Sequence, residues 1–329
     1  MVERKRNRDG KSFWGCSRFP ECRGTRPGAE ESQSLSKNSN RPEWTRREKT
    51  NPKLPKCIDK LPSALSPTKA IEFMQCPRKY YESAISKRIV FQGSEATVKG
   101  NLVHYSLEKI FDLPPNERNL LIGQKFIDNH WPILRKLPEN KAVSKLNDSQ
   151  TYKMLEGAKN ILAKWFQFED PKTINPRARE LEIKATIGNT PMAGVIDRID
   201  NKAVNVDGSP LRLLSEKGAI ERVKIIDYKT GKIPKSEYLD ESLFQIYSYA
   251  LALESSYNCT VDEVQLLYVA HSHSIERKFT DNIRKQTSSQ INKIWKEIRH
   301  GCETGRFPAI PQPLCDWCDA KSICPSWTS

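Results

Sequence analysis

No stretch of this 329-residue chain holds the roughly 20 consecutive apolar residues that a membrane-spanning helix needs. The charged opening residues also lack the apolar core of a secretory signal. The expectation is therefore a protein with no membrane attachment, working in the cytoplasm. No internal repeat is present, which excludes solenoids and propellers. There is no G-x-x-x-x-G-K-[ST] phosphate loop, which excludes the ATP-driven motors built on one. Histidine is scarce, and four of the 5 (His130, His271, His273 and His300) fit no motif.

Positive charge and cysteine are abundant. The net charge is +14, and residues 1–60 hold 16 Lys/Arg against 8 Asp/Glu. Basic excess gathered in a short arm suits nucleic acid or another polyanion. Nine cysteines with no export signal favour metal ligation over disulfides.

Residues 28–62 are rich in Ser, Asn, Pro, Lys and Arg and read as a basic disordered linker between a small Cys/Gly/aromatic island at 1–27 and a main domain at 63–329. Ser66-Pro67 gives a helix start, an N-cap followed by proline at the first helical position. Helical periodicity recurs at about 96–112, 117–130, 150–168, 238–254 and 281–300. Strand-like runs occupy about 178–188, 192–200, 222–229 and 263–270, with a polar excursion at 201–221. Helices first, then strands with one crossover helix, predict an α/β fold: a mixed sheet flanked by helices, with a helical N-terminal part.

The chemistry concentrates at the end of the run Val223–Lys229. On a strand, residues i and i+2 share a face, so Asp227 and Lys229 project side by side, an acid able to hold a divalent cation beside a lysine able to orient water or steady an anion. Asp197, at the end of another strand-like run, supplies a second acid. Five elements follow in order: Gly100-x3-His104-x2-Leu107-Glu108; Glu180 ahead of a strand; Gly194-x2-Asp197-Arg198-Ile199-Asp200; Asp227-Tyr228-Lys229-Thr230-Gly231; and Gln245-x3-Tyr249. In that order they resemble the RecB-like branch of the PD-(D/E)xK nuclease superfamily, over residues 63–329. The resemblance implies a restriction-endonuclease-like fold. It also implies Mg²⁺ or Mn²⁺ held by His104, Asp197 and Asp227, with the Tyr228 carbonyl as a further ligand. Lys229 would position the attacking water, with Glu180 (or nearby Glu182) as a supporting acid and Gln245 and Tyr249 against the phosphate backbone. Arg198 and Asp200 read as an ordinary surface ion pair, and Thr230-Gly231 as the turn that ends the strand.

Cys315-x2-Cys318-x5-Cys324 closes the chain, and Cys76 precedes the core. Sulfur ligation alone allows zinc or an iron–sulfur cluster. The pattern resembles the [4Fe–4S] clasp of AddB-type helicase-nucleases and of the CRISPR spacer-acquisition nucleases, one cysteine before the core and three after it, and so implies a C-terminal cysteine clasp carrying a cluster. Cys57, Cys259 and Cys302 fit no such spacing and read as free or buried thiols.

Gly10 to Arg26 resembles the second half of the zinc ribbon of type IA topoisomerases, but contributes only Cys16 and Cys22, two thiolates where a structural zinc site wants four ligands. The expectation is a truncated or decayed ribbon, largely disordered, binding zinc weakly and lending charge to DNA affinity through Arg4, Lys5, Arg6, Arg8 and Lys11. The function expected from the whole is a metal-dependent deoxyribonuclease of exonuclease type in repair, recombination or foreign-DNA degradation. It would act on single strands or duplex ends, with a helicase on a separate chain as a possible partner. The alternatives are a catalytically inactive DNA-binding module of the same fold and an RNA-directed nuclease.

Overall fold

The computed structural model describes residues 51–201, 221–235 and 239–328, and the strand segments 2–5, 12–15 and 25–27. The chain divides into two compact units: residues 51–310, and residues 1–50 together with 311–329.

In the smaller unit, β1 (Val2–Lys5), β2 (Ser12–Gly15) and β3 (Thr25–Pro27) form an antiparallel sheet, with Arg4 opposite Phe13 and Trp14 opposite Arg26. The expectation of disorder over 1–27 therefore gives way for these segments, where cross-strand backbone pairing supplies an order that composition does not register. Cys16 and Cys22 lie outside the described residues, as do the excursion at 202–220 and the linker at 28–50.

In the larger unit the elements are α1 (Pro67–Gln75), α2 (Glu95–Ile110), α3 (Leu120–Leu134), α4 (Asp148–Phe168), β4 (Pro176–Ile187), β5 (Thr190–Asn201), β6 (Glu221–Lys229), α5 (Leu239–Ser256), β7 (Cys259–Tyr268), β8 (His273–Lys278) and α6 (Asp281–Thr304). The helix starts are chemically marked. Ser66, Ser94, Asn119 and Thr280 each accept a backbone N–H from the first turn, and Asn147 forms a capping box with Gln150.

The sheet order is β4-β5-β6-β7-β8, antiparallel except for the β6–β7 pair. Parallel neighbours need a crossover, and α5 provides it. Side chains alternate across the sheet: Val223 and Ile225 join a core with α1, α5 and α6, whereas Ile226 and Tyr228 join a second core with α2, α3 and α4. The α/β architecture expected from the sequence, a mixed sheet between helices, is present. The fifth strand, β8, was not foreseen. It is polar and largely exposed, as an edge strand can be, and carries little periodic signal.

The unit also begins earlier than the expected boundary at 63. Leu54 donates its N–H to the carbonyl of Gly305 and Cys57 to that of Cys302, both at 2.8 Å, which straps residues 51–60 onto α6. Cys57 and Cys302 are buried and their thiols are hydrogen-bonded to each other; burial pushes the Cys302 thiol up to about 12. No helix among the described residues is long and apolar enough to cross a membrane.

Candidate active site

Helix α2 presents one face, Ala96, Thr97, Gly100, Asn101, His104, Tyr105 and Glu108, to a cavity of about 460 Å³ that Glu180 and Thr230 complete. Glycine at position 100 permits the approach of that face to the β6 terminus, because a Cβ there would sit 3.0 Å from the Thr230 hydroxyl.

Three side chains converge at the inner end. Ligand atoms of His104, Glu180 and Asp197 all lie within 4.8 Å of one another, with His104 Nδ1 3.6 Å from Asp197 Oδ1 and 4.0 Å from Glu180 Oε1. The β4–β5 register places Glu180 there. Arg179 pairs with Arg198 and Leu181 with Ile196, so Glu180 falls opposite Asp197, whereas Glu182 pairs with Val195 and lies outside the group. Glu180 adopts a left-handed backbone (φ 43°), a conformation that costs a non-glycine residue about 1–3 kcal/mol and recurs at functional sites.

Asp227 and Lys229 project from the same face of β6, as their spacing requires. Lys229 Nζ lies 2.7 Å from Asp227 Oδ2 and donates to Gln245 Oε1 at 2.9 Å. Asp227 is buried and belongs to the lysine pair, outside the three-residue group that includes its expected co-ligands His104 and Asp197. Burial pushes its carboxyl up while the Lys229 charge opposes the shift, and the Asp227 charge in turn keeps Lys229 protonated against burial.

Gln245 and Tyr249 share a face of α5 that packs beside the site. Gln245 holds Lys229, and Tyr249 is buried and hydrogen-bonded to Gln245. A Cβ on Gly194 would lie 2.5 Å from the Tyr249 ring, so the glycine three residues ahead of Asp197 is what lets α5 pack this close.

The reading of Arg198 and Asp200 as a surface pair is wrong. Arg198 is 2% exposed. It forms a bidentate pair with Glu169 (2.9 Å each), donates to the Tyr228 hydroxyl at 2.8 Å and lies 3.2 Å from Asp200. The available signal was a charge set between Ile196 and Ile199 in an otherwise apolar run; its partner Glu169 is 29 residues away and invisible to local pattern.

Of the cysteines, Cys76 caps the C-terminus of α1 in the larger unit. Cys315, Cys318 and Cys324 lie on the short turns of the C-terminal stretch, where the Cys318 N–H donates to the Cys315 carbonyl at 3.3 Å. All four are half-buried and free of disulfides.

The donor set suits a hard or borderline divalent cation: carboxylate oxygens with one imidazole. Asp227, opposite Asp197 across the β5–β6 pair, adds a buried carboxylate nearby whose Oδ2 is engaged by Lys229 at 2.7 Å. In the protein alone, burial draws the His104 pKa down, but the hydrogen bond and charge of Asp197, with Glu180 and Asp227 beyond, outweigh it and hold the imidazole at about 8. Burial, then the Asp197 charge, lifts Glu180 to about 7. Protons that His104 and Glu180 hold in these ranges must be released to an incoming cation, so Mn²⁺ affinity should rise as pH increases through about 7 and 8. Calorimetry in buffers of different ionisation enthalpy would register the released protons, and an affinity flat from about pH 6 to 9 would refute the ligand set.

The model of the PD-(D/E)XK nuclease superfamily matches residues 64–325. No curated protein matches the chain. Among solved structures, a protein described as a candidate exonuclease from Eubacterium rectale aligns with a TM-score of 0.45 and 11% identity, covering 78% of this chain and 86% of its own. The protein SSO0001 aligns with a TM-score of 0.38 and 13% identity, covering 82% and 89% respectively. With the family model spanning both the sheet and every residue of the converging site, the chain belongs to the PD-(D/E)XK nuclease superfamily.

Proposed function

We propose that the protein is a Mg²⁺- or Mn²⁺-dependent deoxyribonuclease of RecB-like exonuclease type, acting in the cytoplasm in DNA repair, recombination or degradation of foreign DNA. The observation that carries this reading is the convergence of His104, Glu180 and Asp197 beside the Asp227–Lys229 pair. Members of the superfamily use divalent metals. His104, Glu180 and Asp197, with Asp227 alongside, are the residues that would hold the ion, and when bound it supplies an acidified water and neutralises charge on the attacked phosphate. Lys229 keeps an ammonium fixed between Asp227 and Gln245, where it orients a water or steadies a phosphate oxygen. The basic N-terminal arm adds sequence-independent affinity for the backbone.

The same reading includes the cysteine clasp, with Cys76, Cys315, Cys318 and Cys324 holding a [4Fe–4S] cluster in a structural role. It rests on the order of the cysteines along the chain.

The test uses anaerobically purified protein with end-labelled single-stranded DNA, duplex DNA and matched RNA, with Mn²⁺ or with chelator. Mn²⁺-dependent release of short products from DNA ends is expected, and iron and acid-labile sulfide should be found near four of each per chain. DNA binding with no cleavage would establish the inactive module instead, and cleavage confined to RNA would establish the RNA-directed nuclease. Zinc without iron would remove the cluster and leave the clasp.

A further inference from the structure

Behind the converging site lies a closed circuit of contacts. Asp197 and Arg198 are neighbours on β5. Arg198 donates to the Tyr228 hydroxyl at 2.8 Å, and the Tyr228 backbone N–H returns to Asp197 Oδ2 at 2.7 Å. The Tyr228 ring also meets His104 edge to face, with centroids 5.9 Å apart. The circuit is anchored outward: Glu169, just past the end of α4, receives both Arg198 terminal nitrogens at 2.9 Å and the indole N–H of Trp165 at 2.6 Å. Trp165 and Arg198 are almost wholly buried.

A guanidinium gripped in a bidentate pair is fixed in plane as well as in distance. Tyr228 is therefore held at its hydroxyl while its backbone holds Asp197 and its ring bounds His104. One residue sets the relative placement of two side chains that belong to different elements, β5 and α2. Removal of such outer support around metal ligands typically costs ten- to a hundredfold in affinity.

We propose that Glu169, Arg198 and Tyr228 form a positioning clamp that sets the spacing of Asp197 and His104 for the divalent cation. This rests on the metal-dependent reading above. Nothing in the clamp need touch substrate.

The experiment titrates Mn²⁺ alone, by calorimetry or by the electron paramagnetic resonance of free Mn²⁺, into full-length wild type, Tyr228→Phe, Glu169→Gln and the double variant, below the melting temperature of each. Tyr228→Phe keeps the ring and loses only the hydroxyl, so it stays folded even if Glu169→Gln does not. Each single variant should bind Mn²⁺ about tenfold more weakly, and the double should be no weaker than the worse single, because both break one unit. Wild-type affinity in Tyr228→Phe, with only a lowered Tm, would make the circuit purely structural and overturn the clamp. Additive losses would overturn it as a unit. Absence of Mn²⁺ uptake by the wild type would instead sink the metal-site reading itself, and the clamp with it.

Discussion

Asp227→Asn and Lys229→Ala should each lower cleavage at least about a thousandfold while changing DNA affinity by no more than a few-fold. A thousandfold corresponds to about 4 kcal/mol of transition-state stabilisation, which is within what a lost metal-adjacent charge costs in a site shielded from water. Asp227 is 5% exposed and Lys229 is held at two points, so neither has a nearby substitute. Affinity should behave differently, because sequence-independent DNA binding is generally spread over many Lys and Arg contacts, each replaceable by the rest. The two variants should also part company on metal. Asp227→Asn should weaken Mn²⁺ binding by removing a buried negative charge beside the carboxylate and imidazole donors, whereas Lys229→Ala should not. Cleavage time courses beside fluorescence-anisotropy binding in chelator would show the split. Near-wild-type, metal-dependent cutting by either variant would remove the site assignment.

Gly305→Ala should destabilise the larger unit by about 2–4 kcal/mol, the range of severe backbone substitutions. Two causes act together. Gly305 ends α6 in the left-handed region, at φ 69°, where a side chain is strained whatever the space. The space is absent too, because a Cβ there would lie 1.9 Å from the carbonyl oxygen of Leu54. The strap must lift, taking with it the Leu54 and Cys57 hydrogen bonds and uncovering Cys302. For a unit of this size the loss reads as a Tm lower by roughly 5–15 °C. Gly231→Ala is the control, since it has no atom within 4 Å of the added methyl and should melt near wild type. Equal melting of the two variants would show that the strap does not hold.

How much of this was legible in the chain depended on how local the signal was. Asp227 and Lys229 were readable because a period of two on a strand dictates their common face, and the caps at Ser66 and the crossover helix were readable for similar reasons. Glu180 could not be separated from Glu182 by pattern, since both have the same parity on β4. The β5 register and a left-handed backbone at Glu180 decide between them. The strap was hidden by composition: Leu54 and Cys57 sit among Pro and Lys, and two backbone hydrogen bonds to α6 give the segment its place. Arg198 was misjudged because a charge beside acids in sequence reads as a solvated pair, and only Glu169, from a distant helix end, offsets the cost of its burial.

The parallel pairing of β6 with β7 has a consequence for when the protein becomes active. Such a pair forms only after its crossover has closed, a long-range event that lags the local helices during folding. Asp227 and Lys229 lie at the end of β6, opposite Leu266 and Tyr268 of β7, and Lys229 also needs Gln245 from the crossover itself. His104 comes from a helix more than a hundred residues earlier. The basic arm, by contrast, would on the proposed reading need no fold to attract DNA. On that reading, a chain emerging from the ribosome, or one partly unfolded by stress, would acquire its grip on nucleic acid well before its capacity to cut, and hydrolysis would be reserved for molecules whose sheet is complete.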